Sequence, residues 1–139
     1  MATRSNIGVL QDDGTIKAIY CHWDGYPEGV GATLANHYDS HIRASELVEL
    51  GDILNLKPSI TATETTANSN LKERKSRKFK NIEEWREYAS EQWAEFLYLY
   101  QPKPYGGRGY EWAYMEVNNY WKPIAKSLLK TGEYDAVIS

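Results

Sequence analysis

The hydrophobic pattern opens with two strand-like runs. From Thr3 to Leu10 and from Thr15 to Trp23 the chain is rich in Ile, Val, Thr and Tyr, with Asp12-Asp13-Gly14 between them. That arrangement predicts a β-hairpin. In the second run, alternation sets Ile16, Ala18, Tyr20 and His22 on one face and Lys17, Ile19, Cys21 and Trp23 on the other. Gly25-Tyr26-Pro27 breaks the strand, and Pro27 suits a first helical position because its missing N–H would be unpaired there. Val30, Leu34 and then His37/Tyr38 repeat at helical spacing, while Gly29 and Gly31 allow close approach of another backbone or a ligand. A second short helix is predicted after Ser40, with Ile42, Leu47 and Leu50 inward and Gly51 as its stop.

Residues 57–80 lack a sustained apolar period and read as a mobile loop, with a little edge strand near Ile60 and a basic run from Lys72 to Lys78. That run solvates the loop or, in a sharper reading, docks an acidic partner. Asn81-Ile82-Glu83-Glu84 is a helix start with a capping side chain, after which Ile82, Trp85, Ala89 and Trp93 share one face. Phe96 to Tyr100 and Glu111 to Val117 predict a second hairpin. One of its faces carries Leu97, Leu99, Ala113, Met115 and Val117, and the other Phe96, Tyr98, Tyr100, Trp112 and Tyr114. The Tyr/Trp face either receives a ligand, a partner or another copy of the chain, or is covered like the aliphatic one. Trp121 to Lys130 reads as a short closing helix after Pro123. The expected architecture is a single compact α+β domain over 1–139, with about four mainly antiparallel strands in two hairpins and helices packed on one face.

Composition changes this picture in one respect. Eleven Tyr and five Trp stand against two Phe, so most rings carry a polar tip suited to half-wet surfaces. The net charge of -3 argues against general nucleic-acid binding. No apolar run approaches the length of a membrane span, and the lone Cys21 has no disulfide partner, which fits a reducing, cytoplasmic setting.

The stretch from Ile19 to Pro27 concentrates the candidate chemistry. Cys21, His22 and His37 are the candidates for a thiol nucleophile and its imidazole, although Cys21 and His22 face apart along a regular strand. His37 and His41 stand four apart, but Asp39-Ser40 breaks the helix between them, and no metal or cofactor is expected. Gly106-Gly107-Arg108-Gly109 leads into a strand rather than a helix, so it is not a phosphate-cradling loop. The binding surface expected from the polar-tipped rings and the glycine-rich helix start comprises Arg4, Tyr20, His22, Trp23, Asp24, Tyr26, His37 and Tyr38.

Several stretches resemble a family of small bacteriophage and prophage proteins. These are Thr3-Arg4-Ser5-Asn6-Ile7-Gly8-Val9, Asp13-Gly14-Thr15-Ile16, the stretch Ile19 to Pro27, and Val30-Gly31 through Leu34 to His37-Tyr38. Similar proteins finish with a Trp-containing helix, a strand pair and a Trp-Lys-Pro segment, here Trp121-Lys122-Pro123, while residues 60–77 depart from the pattern. The resemblance implies a virus-encoded accessory protein acting in the bacterial cytoplasm. By analogy with such proteins, the expected function is stoichiometric binding, either of a host defence protein or of a small signalling molecule. The alternatives are a small Cys-dependent hydrolase or transferase and a self-assembling structural protein.

Overall fold

A computed structural model describes residues 3–66, 75–103, 108–117 and, for the backbone alone, 122–123. The first hairpin joins β1 (Ser5–Leu10) to β2 (Ile16–Cys21) in antiparallel register, Ser5 opposite Cys21. Its turn closes through Gly14, whose φ of 86° suits only a residue without Cβ, and the Asp13 carboxylate accepts from both the N–H and the hydroxyl of Thr15. A π-helical turn, Pro27–Gly31, runs into α1 (Ala32–His37). The Ser40 hydroxyl then caps α2 (His41–Glu49) by accepting from Arg43 N–H, and Gly51, at φ 82°, ends it.

The next strands are β3 (Ile53–Asn55) and β4 (Glu64–Thr65), followed by β5 (Arg77–Phe79). Helix α3 (Ile82–Glu91) leads to β6 (Phe96–Pro102), β7 (Tyr110–Glu116) and the short β8 (Lys122–Pro123). The sheet order is β4-β3-β2-β1-β6-β7-β8, with β5 sharing the outer edge of β2 with β3.

The α+β class stands, and its layout is richer than two hairpins. Strand β1 runs parallel to β6 and β2 parallel to β3, so the sheet is mixed, with eight strands among the described residues. Parallel neighbours require a crossover. The route from β2 to β3 carries α1 and α2 over one face, and the route from β5 to β6 carries α3 over the other. Hence the helices do not share one face as expected. Ile7, Val9, Ile19, Tyr98, Tyr100, Trp112 and Tyr114 pack with Val30, Leu34, Tyr38, Leu47 and Val48, whereas Ile16, Ala18, Leu97, Leu99 and Met115 pack with Trp85 and Ala89.

Two helix positions also differ from the sequence reading. Ile42 is 75% exposed because it lies five residues before Leu47, about 140° round the helix from the inward stripe. Trp93 is 78% exposed because α3 has already ended. In the stretch expected as a loop, the little edge strand is β4, a few residues beyond Ile60, which lies partly buried in a turn where Ser59 O accepts from Thr63 N–H, and β5 also falls in that stretch. The closing helix expected after Pro123 and residues 67–74 of the loop lie outside the described residues.

Candidate functional site

Beyond Cys21 the chain stays paired for two residues, His22 N–H donating to Ile53 O at 3.1 Å and Trp23 N–H to Leu54 O at 3.0 Å. It then turns sharply at Asp24, which adopts a left-handed φ of 55° that aspartate tolerates better than most residues. Gly25 donates to Thr3 O and accepts the buried Tyr98 hydroxyl at 2.6 Å, and Val30 donates to Asp24 O at 2.9 Å. A Cβ on Gly25 would sit 2.7 Å from Thr3 O, and one on Gly29 would sit 2.4 Å from Asp24 O. Close backbone packing therefore dictates both glycines. The turn is held by Thr3 just ahead of β1, by Tyr98 of β6 and by the π-helical turn, and it presents Trp23 (41% exposed) and Tyr26 (40% exposed). The Tyr26 hydroxyl donates to Asp24 Oδ1 at 3.3 Å, and the charge of Asp24 pushes the Tyr26 pKa up.

Arg4, Tyr20 and His22 come together on the α3 side of the sheet, beyond the end of that helix. The pairing of Ser5 with Cys21 places Arg4 beside His22 on the neighbouring strand. Tyr20 hydroxyl and His22 Nδ1 share a hydrogen bond at 2.8 Å, and the Trp23 ring meets the imidazole edge-on at 4.7 Å. Partial burial, helped by the Arg4 charge, lowers the His22 pKa and favours the neutral imidazole. Tyr20 N–H donates to the buried Asp52 carboxylate at 2.9 Å, which fills the seam where the edge of β2 changes partner from β5 to β3.

Two residues expected on this surface, Tyr38 and His37, do not join it, and neither does the thiol candidate Cys21. Tyr38 is buried in the core, its hydroxyl donating to Lys57 O at 2.7 Å and its carbonyl accepting Trp112 Nε1–H at 3.0 Å. His37 is exposed at the end of α1, with its carbonyl bonded to Arg43 Nε–H and no hydrogen bond or ring contact to Arg4, Tyr20, His22 or Trp23. Cys21 is fully buried on the opposite face from His22, and burial pushes its thiol up to about 12. A thiol so placed is neither ionised near neutral pH nor reachable, so Cys21 is a small core residue rather than a nucleophile. His41, the other half of the spaced histidine pair, stands edge-on to the Tyr110 ring at 5.2 Å. Among the described residues, no three His, Cys, Asp or Glu side chains gather closely enough to hold a metal ion.

The structure adds Asn6, Gln92 and Trp93. Asn6 is buried, accepts Trp85 Nε1–H at 3.2 Å and donates to Gln92 Oε1 at 3.0 Å, while Gln92 Nε2 donates to the Tyr88 hydroxyl at 3.2 Å. This chain of bonds fixes where α3 ends. The end itself is a Schellman motif, Trp93 N–H donating to Ser90 O and Ala94 N–H to Ala89 O, with Trp93 at φ 64° in the position that usually takes glycine. Nothing in the helical spacing announces this, because Trp93 continues the stripe of Ile82, Trp85 and Ala89.

Glu95 N–H donates to Arg4 O at 2.8 Å, which brings the end of α3 alongside Arg4. The backbone pairings thus set the α3 end, with Trp93, on one side of Arg4 and the end of β2, with His22 and Trp23, on the other. Arg4 is half-buried, its Nε is shielded from solvent without an acceptor, and it makes no ion pair among the described residues. Of the two readings of the Tyr/Trp face, the covered one holds, since Tyr98, Tyr100, Trp112 and Tyr114 are buried beneath α1 and α2. No helix among the described residues is long and apolar enough to cross a membrane. No protein-family model, curated protein or solved structure matches the chain.

Proposed function

We propose that the protein is a stoichiometric binder of another protein, through a surface formed by Trp23, Tyr26 and Trp93 around Arg4, with Tyr20 and His22 beside it. The observation that carries this reading is the exposure of three large rings, two on a turn bonded to Thr3 and Tyr98 and one at the Schellman end of α3. Tryptophan, tyrosine and arginine dominate binding hot spots. Rings exposed by 40%, 41% and 78% protrude, whereas a small-molecule site is concave and encloses most of its ligand. Of the two kinds of partner expected from the sequence, the protein partner therefore fits better. The resemblance to phage accessory proteins supports a host protein in a bacterial cytoplasm as that partner.

The test is native mass spectrometry of the protein purified from a bacterial host, alongside Trp23→Ala. The expected result is a partner protein retained in a fixed ratio by the parent and released by the variant, whose circular dichroism is unchanged. Retention by Trp23→Ala at full ratio would remove this surface from consideration. A small molecule retained by the parent instead would restore the sequestering reading.

A further inference from the structure

Among the described residues the cation at the centre of this surface has no ion-pair partner. Asp24, the carboxylate nearest in sequence to Trp23, is engaged by the Tyr26 hydroxyl, and Glu95, which bonds the Arg4 backbone, makes no ion pair with its side chain. Arg4 is nonetheless held half out of water, with one shielded N–H lacking an acceptor. A buried donor left unpaired is unfavourable, and a guanidinium in this condition is matched by a planar, bidentate anion. The rim around it is aromatic rather than basic, so the complementary element is one anion set among apolar groups.

Resting on the protein-binding reading above, we propose that the partner places an acidic side chain, Asp or Glu, between Trp23 and Trp93 to pair with the Arg4 guanidinium. Tyr20 and His22 line the β2 side of this site. A neutral imidazole there offers hydrogen bonding without a second charge, so the carboxylate is addressed to Arg4 alone. The two indoles exclude water from the pair and strengthen it. This assigns to the protein a partner whose contact patch is acidic at its centre and apolar around it.

The experiment is a nuclear magnetic resonance titration of the 15N-labelled full chain, following the indole N–H signals of Trp23 and Trp93. Three probes are compared: a capped peptide alternating leucine and glutamate, its glutamine counterpart, and inorganic phosphate. The expected result is that the glutamate peptide moves both indole signals and binds about tenfold more tightly than the glutamine peptide, a preference that added salt weakens and Arg4→Gln erases. Arg4→Gln should also raise the His22 pKa toward its ordinary value, a readout of the arginine's field that an unfolded variant would not give as a single shifted titration in a dispersed spectrum. Equal binding of the two peptides at these indoles would overturn the carboxylate pairing and leave the aromatic surface standing. Phosphate binding more tightly than the glutamate peptide would overturn it in favour of a phosphorylated ligand, and indole signals that no probe moves would count against both readings.

Discussion

Two sets of aromatic rings lie on the same sheet and meet opposite fates. Tyr98, Tyr100, Trp112 and Tyr114 are buried under α1 and α2, with Tyr100 and Trp112 centroids 5.2 Å apart. Trp23, Tyr26 and Trp93 stand in solvent at the end of the sheet where β2 finishes and β6 begins. Residue type does not separate them, since each set mixes Tyr and Trp. Coverage does, and coverage is decided by where the crossovers run. The two sets are also joined, because the buried Tyr98 hydroxyl bonds the Gly25 carbonyl inside the turn that carries Trp23 and Tyr26. One set is the foundation on which part of the other is displayed.

Substitution in the buried set should have the largest effect. Trp112→Ala removes a buried indole and its bond to Tyr38 O, and we expect a loss of about 3–5 kcal/mol in chemical denaturation. Trp23→Ala in the same assay should stay within about 0.5 kcal/mol of the parent. Equal losses in the two variants would dissolve the distinction between the sets. Tyr98→Phe tests their connection. It leaves the Gly25 carbonyl without the buried hydroxyl, and we expect a cost of about 1–3 kcal/mol together with faster amide exchange at Gly25 and Tyr26. Unchanged exchange there would mean that the turn holds itself.

Much of the scaffold was legible in the chain. Asp13-Gly14 marked the first turn, Asn81 marked the start of α3 and accepts from Glu84 N–H at 2.8 Å, and alternation sorted the apolar and aromatic residues from Phe96 to Tyr100 and from Trp112 to Met115 onto their faces. Alternation cannot say whether a helix lies over a face, so the fate of the Tyr/Trp face stayed open. Tyr38 is a polar-tipped ring like Trp23, and contacts distant in sequence bury it, among them Trp112 and the Lys57 carbonyl. Half of the site was legible because it is contiguous, from Tyr20 to Tyr26. Asn6 and Gln92 were not, since a buried amide in a strand is explained only by a partner 86 residues away. Trp93 was misread because the helix stop that glycine would have announced is made here by a tryptophan.

That stop yields a prediction of opposite sign. A non-glycine residue at left-handed φ is disfavoured by about 1–2 kcal/mol, and the Trp93 ring recovers little by burial at 78% exposure. Trp93→Gly should therefore keep the fold and raise stability by about 0.5–1 kcal/mol in denaturant, while weakening partner binding. A stability loss would instead make Trp93 a structural residue of the α3 end and would narrow the exposed set to Trp23 and Tyr26.

The smallest effect expected is the pH response of His22. Its folded pKa lies below the ordinary value of about 6.5, because burial and then Arg4 disfavour the imidazolium. A depressed pKa means that the unfolded chain takes up the proton first as pH falls. The contribution of His22 to stability is thus fully present above about pH 6.5 and declines as pH falls through its folded pKa. In His22→Gln this part of the acid-side slope should vanish while the Trp112→Ala penalty is unchanged, because the imidazole belongs to the exposed end of the sheet and not to the covered face. An acid slope identical in parent and His22→Gln would place the proton uptake elsewhere. A changed Trp112 penalty would show that the two aromatic sets are coupled through more than the Tyr98 hydroxyl.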